Sequence, residues 1–157
     1  MENNNEEVID VLNDLIQINN DRIEGYEKAI EDTRSRSVDY LPLFNQMIQQ
    51  SGKYKLELID EVRSIGGDPE WNSTTNSGKI YRAWMDIKSA ITGKTEQSAL
   101  ELCELGEDAA QKAYNDALDT SNDLPLSTRQ LISRQKSELK QSHDLIKRNR
   151  DMEKARS

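Results

Sequence analysis

The sequence is poor in the residues that build disulfide frameworks and turn-rich folds. Its 157 residues include one cysteine, three prolines, seven glycines and one phenylalanine. A lone cysteine cannot form a disulfide within the chain, which indicates a reducing compartment. No apolar run approaches the roughly 20 residues of a membrane span, and the start "MENNNEEVID" lacks the apolar segment of a signal peptide. We therefore predict a cytoplasmic protein with no membrane partner.

The sequence also lacks basic character. Charged residues make up 32% of the chain, hydrophobic residues 34%, and the net charge is −8. Nucleic-acid binding needs a basic face, so we predict no nucleic-acid partner. The basic residues of "KRNRDMEKAR" lie at the C-terminal end of the last predicted helix, where the helix dipole favours cations. This composition is typical of exposed helices crossed by salt bridges.

Motifs for catalysis or cofactor binding are also missing. No Gly-x-Gly-x-x-Gly or Walker sequence occurs, and "TGKTE" lacks the upstream glycine of a phosphate loop. Cys103 lies on an alanine-rich helix face, which favours a small buried hydrophobe over a nucleophile. We predict no cofactor and no catalytic residue.

What the sequence does contain is helical periodicity. Apolar residues recur at steps of three and four, which predicts four helices over about 6–34, 38–65, 96–119 and 127–152. Pro42 suits the first turn of the second helix, and "GGDP" at 66–69 ends it. We expect Ser127 or Thr128 to cap the fourth helix. The chain length fits a single domain, residues 1–157.

The connections predict the topology. Short links make antiparallel hairpins of helices one and two and of helices three and four. About thirty residues, 66–95, join helices two and three, enough to run back along the bundle and leave those two helices parallel. Ile80, Trp84, Ile87 and Ile91 follow helical spacing within this crossover, which predicts a short extra helix. We expect Trp84 to pack that helix onto the bundle, although an aromatic recognition patch is the alternative.

Several segments resemble a known family. "LGEDAAQKAYNDAL", "SIGGDP" leading into "SGKIYRAWMDIK", and "SRQKSELKQSHDLIK" are similar to an uncharacterised bacterial family with a ferritin-like four-helix bundle. The resemblance covers about residues 6–150, and it implies an all-α, ferritin-like fold with the long crossover between helices two and three. Tyr81 stands where a histidine before Arg-x-Trp is expected from the family.

A ferritin-like di-iron site can be tested against the sequence. Such sites take one glutamate from each of two helices and Glu-x-x-His from each of the other two. This chain has a single histidine, His143, and the residue three before it is Lys140. The complete motif is therefore excluded.

Helical phase nevertheless predicts a buried polar layer, formed by Asn19, Ser51, Glu107 and Gln135. A buried carboxylate has to be paired or hydrogen-bonded. We expect Glu107 to bond with one of four side chains: Tyr26, Tyr54, Lys55 or Gln135. The alternative is that Glu27, Glu107 and His143 bind one ion of iron, manganese or zinc. Glu104 is predicted to lie at the edge of the apolar stripe.

Two functions follow from these patterns. The first is a non-catalytic helical bundle that acts through self-association or protein partners, in a stress response for example. Its basis is the incomplete site and the abundance of charged residues on exposed faces. The second is a degenerate ferritin-like metal-binding protein or oxidoreductase. We favour the first because most of the di-iron motif is missing.

Overall fold

Four long helices make up the structure, a computed structural model that describes residues 2–33, 40–71, 96–120 and 124–156. Helix α1 spans Glu2–Thr33, α2 Leu41–Ser64, α3 Glu96–Thr120 and α4 Leu126–Arg156. These four ranges contain no strand, so the predicted all-α class is confirmed. Within them, no helix has the long apolar stretch that crossing a membrane requires.

Helix α2 ends where the sequence predicts. Gly66 takes a left-handed backbone conformation with φ of 83°, which a glycine adopts without steric cost. Its N–H donates to the carbonyl of Arg63 at 3.1 Å, and the N–H of Gly67 donates to the carbonyl of Val62 at 2.9 Å. This pair of bonds is a Schellman motif, which satisfies the last carbonyls of the helix.

The capping role predicted for Ser127 or Thr128 is wrong. Helix α4 begins at Leu126, ahead of both residues. Their hydroxyl groups instead donate to Oε1 of Glu61 on α2, at 3.2 Å and 2.8 Å respectively. The two side chains therefore tie the start of α4 to the end of α2.

Neighbouring helices are antiparallel, as the interhelical hydrogen bonds show. Asn19 of α1 bonds Tyr114 of α3, and Arg22, one turn later on α1, bonds Glu107, two turns earlier on α3. The same reversal appears in pairs from the other helices: Gln50 with Ser142 and Glu57 with Arg134 across α2 and α4, and Gln111 with Lys136 and Glu104 with Arg150 across α3 and α4.

Helix α1 packs on α2 and α3, and α4 packs on the same two helices. Helices α2 and α3 are therefore diagonal to each other. Because both are antiparallel to α4, they are parallel, as the long crossover predicts.

The described start of the crossover runs back along α1. Asn13 donates to the carbonyl of Asp68 and accepts from the backbone of Glu70, and Asn20, two turns further along α1, bonds the carbonyl of Trp71. The predicted short helix containing Trp84 lies outside the described residues.

The core lies between the four helices. Its centre combines apolar side chains with buried tyrosines, and the rings of Tyr26 and Phe44 lie 5.8 Å apart. The fully buried apolar residues include Leu12, Leu15, Ile16, Tyr54, Leu58, Val62, Leu100, Tyr114, Ile132, Leu139 and Ile146. This core holds the polar layer at mid-height in the bundle.

Candidate functional site

All four members of the predicted polar layer are buried. Asn19 and Glu107 are 1% exposed, and Ser51 and Gln135 are 0% exposed. One residue comes from each helix, because each lies on the apolar stripe of its own helix. The layer is the largest concentration of buried polar groups in the described part of the chain, and we take it as the candidate site.

An ion pair lies at the centre of this site. Nε of Arg22 donates to Oε1 of Glu107 at 2.7 Å, and the two side chains are 1% and 0% exposed. Such a pair is tolerated in a core only when hydrogen bonds satisfy the rest of each group. The pair is thus the main electrostatic feature of the bundle interior.

Arg22 makes three further hydrogen bonds. Its Nη1 donates to Oγ of Ser51 at 2.8 Å and to the carbonyl of Met47 at 3.3 Å, and Nη2 approaches Sδ of Met47 at 3.3 Å. Burial is the largest single influence on the pKa of Arg22 and lowers it, but Glu107, Tyr26 and Tyr54 together outweigh burial and the pKa is raised. The guanidinium therefore stays charged in the core and connects α1, α2 and α3.

Tyr26 completes the surroundings of Glu107. Its hydroxyl donates to Oε1 of Glu107 at 2.5 Å, so one oxygen of the carboxylate accepts from both Tyr26 and Arg22. Burial, followed by the nearby Glu107, raises the pKa of Tyr26 well above its ordinary value. Among the described residues, Oε2 of Glu107 has no hydrogen-bond partner.

Cys103 lies beside this group, one turn before Glu107 on α3, and is fully buried. Burial, with a further contribution from Glu107, raises the pKa of its thiol well above the ordinary value of 9.0. A thiol in this state is a poor nucleophile, since the thiolate is the reactive form. The side chain acts as a small hydrophobe, in agreement with the sequence interpretation.

A second hydrogen-bonded network links the other two residues of the layer, Asn19 and Gln135, through Tyr114. Nδ2 of Asn19 donates to the hydroxyl of Tyr114 at 2.9 Å, and that hydroxyl donates to Oε1 of Gln135 at 2.6 Å. Nε2 of Gln135 then donates to the carbonyl of Tyr54 at 3.3 Å and to Oε1 of Glu57 at 3.2 Å. All four helices contribute to this network.

The network reaches the surface between α2 and α4. Arg134 pairs with Glu57 at 2.6 Å, and the hydroxyl of Tyr54 donates to Glu138 at 2.8 Å. The hydrogen bond to Glu57 raises the pKa of Arg134. Burial, followed by the hydrogen bond to Glu138, raises the pKa of Tyr54. The inner polar groups are thus linked to solvent through charged side chains on one edge of the bundle.

The three predicted metal ligands lie in different surroundings. Glu27 is on the exposed side of α1, Glu107 is buried against Arg22, and His143 is half-buried between α3 and α4. The structure does not gather them into one cluster of ligand atoms. On α1 the stripe that carries Tyr26 faces inward, and the neighbouring Glu27 is rotated away from it.

His143 instead has carboxylate neighbours at the edge of the bundle. Its Nε2 lies 2.6 Å from Oδ1 of Asp108, and its Nδ1 lies 3.2 Å from Oδ1 of Asp144. Glu104, one turn before Asp108, lies on the same side of α3 and pairs with Arg150 at 2.5 Å. Glu104 is partly buried, as expected for the edge of the stripe.

Sequence reasoning missed Arg22 as the partner of Glu107. Of the four partners we expected, only Tyr26 bonds the carboxylate. The sequence does place Arg22 in the core. It lies three residues after Asn19 and four before Tyr26, at the centre of the apolar stripe of α1. A cation on such a stripe indicates a buried anion on a neighbouring helix.

Comparisons with known proteins agree with this architecture. A family described as a domain of unknown function, DUF2383, matches residues 7–120. Among solved structures, a point mutant of Dps1 from Mycobacterium smegmatis has a TM-score of 0.78 at 14% identity, covering 95% of this chain and 98% of that one. No curated protein sequence matches. The structural likeness shows that the fold is a ferritin-like four-helix bundle.

The bundle interior does not fit the di-iron site of that fold class. Such a site needs carboxylates and imidazoles converging on the ions. Here the buried carboxylate of Glu107 faces the guanidinium of Arg22, which already supplies the positive charge, and the chain's one histidine lies outside the core. The donor set around Glu107 is therefore that of an ion pair.

Proposed function

Because the chain belongs to the DUF2383 family, a family of unknown function, we propose a function from its own geometry. The protein is a non-catalytic, ferritin-like bundle that acts through association with itself or with a protein partner. The observation that carries this proposal is the Arg22–Glu107 pair, which fills the interior position where chemistry would take place. A bundle with its interior closed in this way acts through its surface.

The surface supports the same proposal. Large apolar side chains are exposed on several elements: Leu126 is 71% exposed, Leu56 64% and Trp71 54%. The buried centre of a protein interface is rich in apolar and aromatic side chains, and tryptophan is among the residues that contribute most to binding. Cytoplasmic location and a role in stress belong to the proposal too. The buried, free Cys103 is compatible with a reducing compartment.

Association is tested by light scattering on the full chain after size-exclusion chromatography, across a wide range of concentration, together with affinity purification from cell extract. We expect an oligomer or a defined co-purifying protein that is lost in Leu56→Glu or Leu126→Glu. Lys53→Glu, at an exposed polar position on α2, is the matched control and retains the interaction. A monomer at every concentration with no specific partner would overturn the proposal.

The alternative, a metal-binding oxidoreductase using the bundle interior, has its own test. Elemental analysis of protein purified without chelator distinguishes the two classes. About one equivalent of iron, manganese or zinc that is lost in Glu107→Gln would show a working interior site. We expect no metal that depends on Glu107.

A further inference from the structure

The strongest unassigned cluster of ligating groups lies between α3 and α4. Glu104, Asp108 and His143 each present one ligand atom, and these three atoms lie within 4.8 Å of one another. Donors bound to one zinc ion at about 2.0–2.2 Å lie about 3.5 Å apart in tetrahedral geometry, so the longest separation here has to close by no more than about 1.3 Å. The short contact between His143 and Asp108, at 2.6 Å, has to open by about 0.9 Å, and we expect side-chain rotation to make both adjustments.

The backbone presents these groups on rigid elements. Glu104 and Asp108 are one turn apart on α3, so both side chains face the same way. His143 comes from the facing helix, and its Nε2 is 2.6 Å from Oδ1 of Asp108. A ligand held by all three would join α3 to α4 midway along their length.

The orientation of the imidazole is a second observation that favours a metal. Nδ1 of His143 is 3.2 Å from Oδ1 of Asp144. The 2.6 Å contact between Nε2 and Oδ1 of Asp108 requires a hydrogen on Nε2 in the metal-free protein. An ion that binds Nε2 takes the place of this hydrogen, and Nδ1–H then donates to Asp144 while the lone pair of Nε2 faces the ion. Metal-binding histidines commonly have their other ring nitrogen held by a carboxylate in this way, which fixes the tautomer and strengthens the ligand.

Exposure of the cluster leaves room for an ion to enter. The side chains of Glu104 and His143 are 13% and 19% exposed, whereas that of Asp108 is 53% exposed. The inner side of the cluster is thus covered by protein and the outer side faces solvent. Water can supply the remaining ligand positions from that side.

We propose that Glu104, Asp108 and His143 bind one divalent transition-metal ion, with zinc as the best fit to two carboxylate oxygens and one imidazole nitrogen. Arg150 is the built-in competitor, because its Nη1 lies 2.5 Å from Oε2 of Glu104. Metal binding requires Glu104 to exchange this arginine for the ion. The site is separate from Arg22–Glu107 and independent of the association proposed above.

The test is calorimetric titration of the chelator-free full chain with zinc chloride, together with its melting temperature with and without zinc. We expect about one equivalent to bind and the melting temperature to rise by ligand linkage. Cobalt(II) in place of zinc should give the visible absorption bands of a coordinated ion. Asp108→Asn and His143→Gln each weaken binding by at least about tenfold, whereas Arg150→Gln strengthens it.

Asp116→Asn is the matched control, since Asp116 is a similarly exposed carboxylate two turns further along α3. It should bind zinc like the unmodified chain. No saturable binding at micromolar zinc, or equal binding by Asp108→Asn and His143→Gln, would overturn the site. Binding lost in Glu107→Gln but kept in Asp108→Asn would contradict both this site and the closed interior, whereas failure to associate leaves this site unaffected.

Discussion

Arg22 and Glu107 are 85 residues apart in the chain, yet their side chains meet at 2.7 Å in the centre of the bundle. The contact joins α1 to α3, which are not consecutive helices. Because both groups are out of water, each depends on the other for its charge to be tolerated. The pair therefore fixes how far α3 can slide along α1.

Breaking this pair should be strongly destabilising. Glu107→Ala or Arg22→Ala leaves an unpaired buried charge, and we expect each to lower the free energy of unfolding by about 3–5 kcal/mol. Urea denaturation followed by circular dichroism measures the loss. The control is the exposed pair Lys112–Asp116 on α3, where Asp116→Ala should cost no more than about 1 kcal/mol.

Replacing both Arg22 and Glu107 with apolar residues tests whether the unpaired charge causes the loss of stability in the single variants. In Arg22→Met/Glu107→Leu no charge remains to be buried, so much of the lost stability should return. A double variant as unstable as the sum of the single variants would show that the ion pair does not account for their effects. Size-exclusion chromatography of the double variant checks that its assembly state is unchanged.

The location of the buried polar layer could be predicted from the sequence, because it depends only on helical phase. Asn19, Ser51, Glu107 and Gln135 lie on the stripes of their helices, and all four are buried. The pairing of Glu107 with Arg22 could not be predicted in this way, because it depends on how far α1 is shifted against α3 along the bundle axis. A shift of one turn would give Glu107 a different neighbour.

The cluster of Glu104, Asp108 and His143 between α3 and α4 could likewise be predicted only in part from the sequence. The sequence identified His143 and placed Glu104 at the border of its stripe. No sequence pattern marks Asp108 or Asp144 as a neighbour of His143, since exposed aspartates are common on helices. Only the antiparallel packing of α3 on α4 brings Asp108 within 2.6 Å of the imidazole.

Tyr114→Phe tests the second network. The change removes one oxygen and leaves both the Nδ2 of Asn19 and the Oε1 of Gln135 without their bonds to it. We expect a loss of about 1–3 kcal/mol in the free energy of unfolding, since Oε1 of Gln135 loses its partner and Nδ2 of Asn19 keeps only the carbonyl of Leu15, while the packing volume is almost unchanged. Chemical denaturation measures the loss. An unchanged stability would mean that the network contributes little in the folded protein.

The free energy of unfolding should fall as the pH rises above 10, because buried tyrosines keep their protons in the folded protein. Burial is the first cause of the raised pKa of Tyr26 and of Tyr114, whose ordinary value is 10.0. Above pH 10 the unfolded chain releases these protons while the folded chain keeps them, so stability falls as pH rises. Each such group contributes a slope of about 1.4 kcal/mol per pH unit.

Tyrosinate absorbance and circular dichroism, recorded together, check this prediction. The absorbance step of the buried tyrosines should coincide with loss of helix, and Tyr26→Phe should show a shallower fall in stability with pH. Ionisation of every tyrosine before any loss of helix would contradict it.

Gly67→Ala should destabilise the turn after α2. A Cβ at this position would lie 2.8 Å from both Cγ1 and Cδ1 of Ile9, closer than carbon atoms pack. We expect a loss of about 1–3 kcal/mol from overpacking, measured by thermal or urea unfolding. Ile9→Ala should remove the clash, so Gly67→Ala should cost less stability in the Ile9→Ala variant than in the unmodified chain.

Gly52→Ala is the matched control for this prediction. Gly52 is inside α2, and a Cβ there would meet nothing within 4 Å. The change should stabilise the protein by about 0.5–1 kcal/mol, because alanine favours the helix. Equal losses at both glycines would show that the contact with Ile9 is not the cause.

The second network also bears on whether residues 7–120, the region that the family matches, could fold without the rest of this chain. The matched family region ends at residue 120, whereas Gln135 and Glu138, which accept the hydroxyl protons of Tyr114 and Tyr54, are on α4. A fragment ending at 120 would expose the apolar faces of α2 and α3 and return both phenols to water. Residues 7–120 of this chain therefore depend on α4 for the partners of both phenols and for cover over these apolar faces.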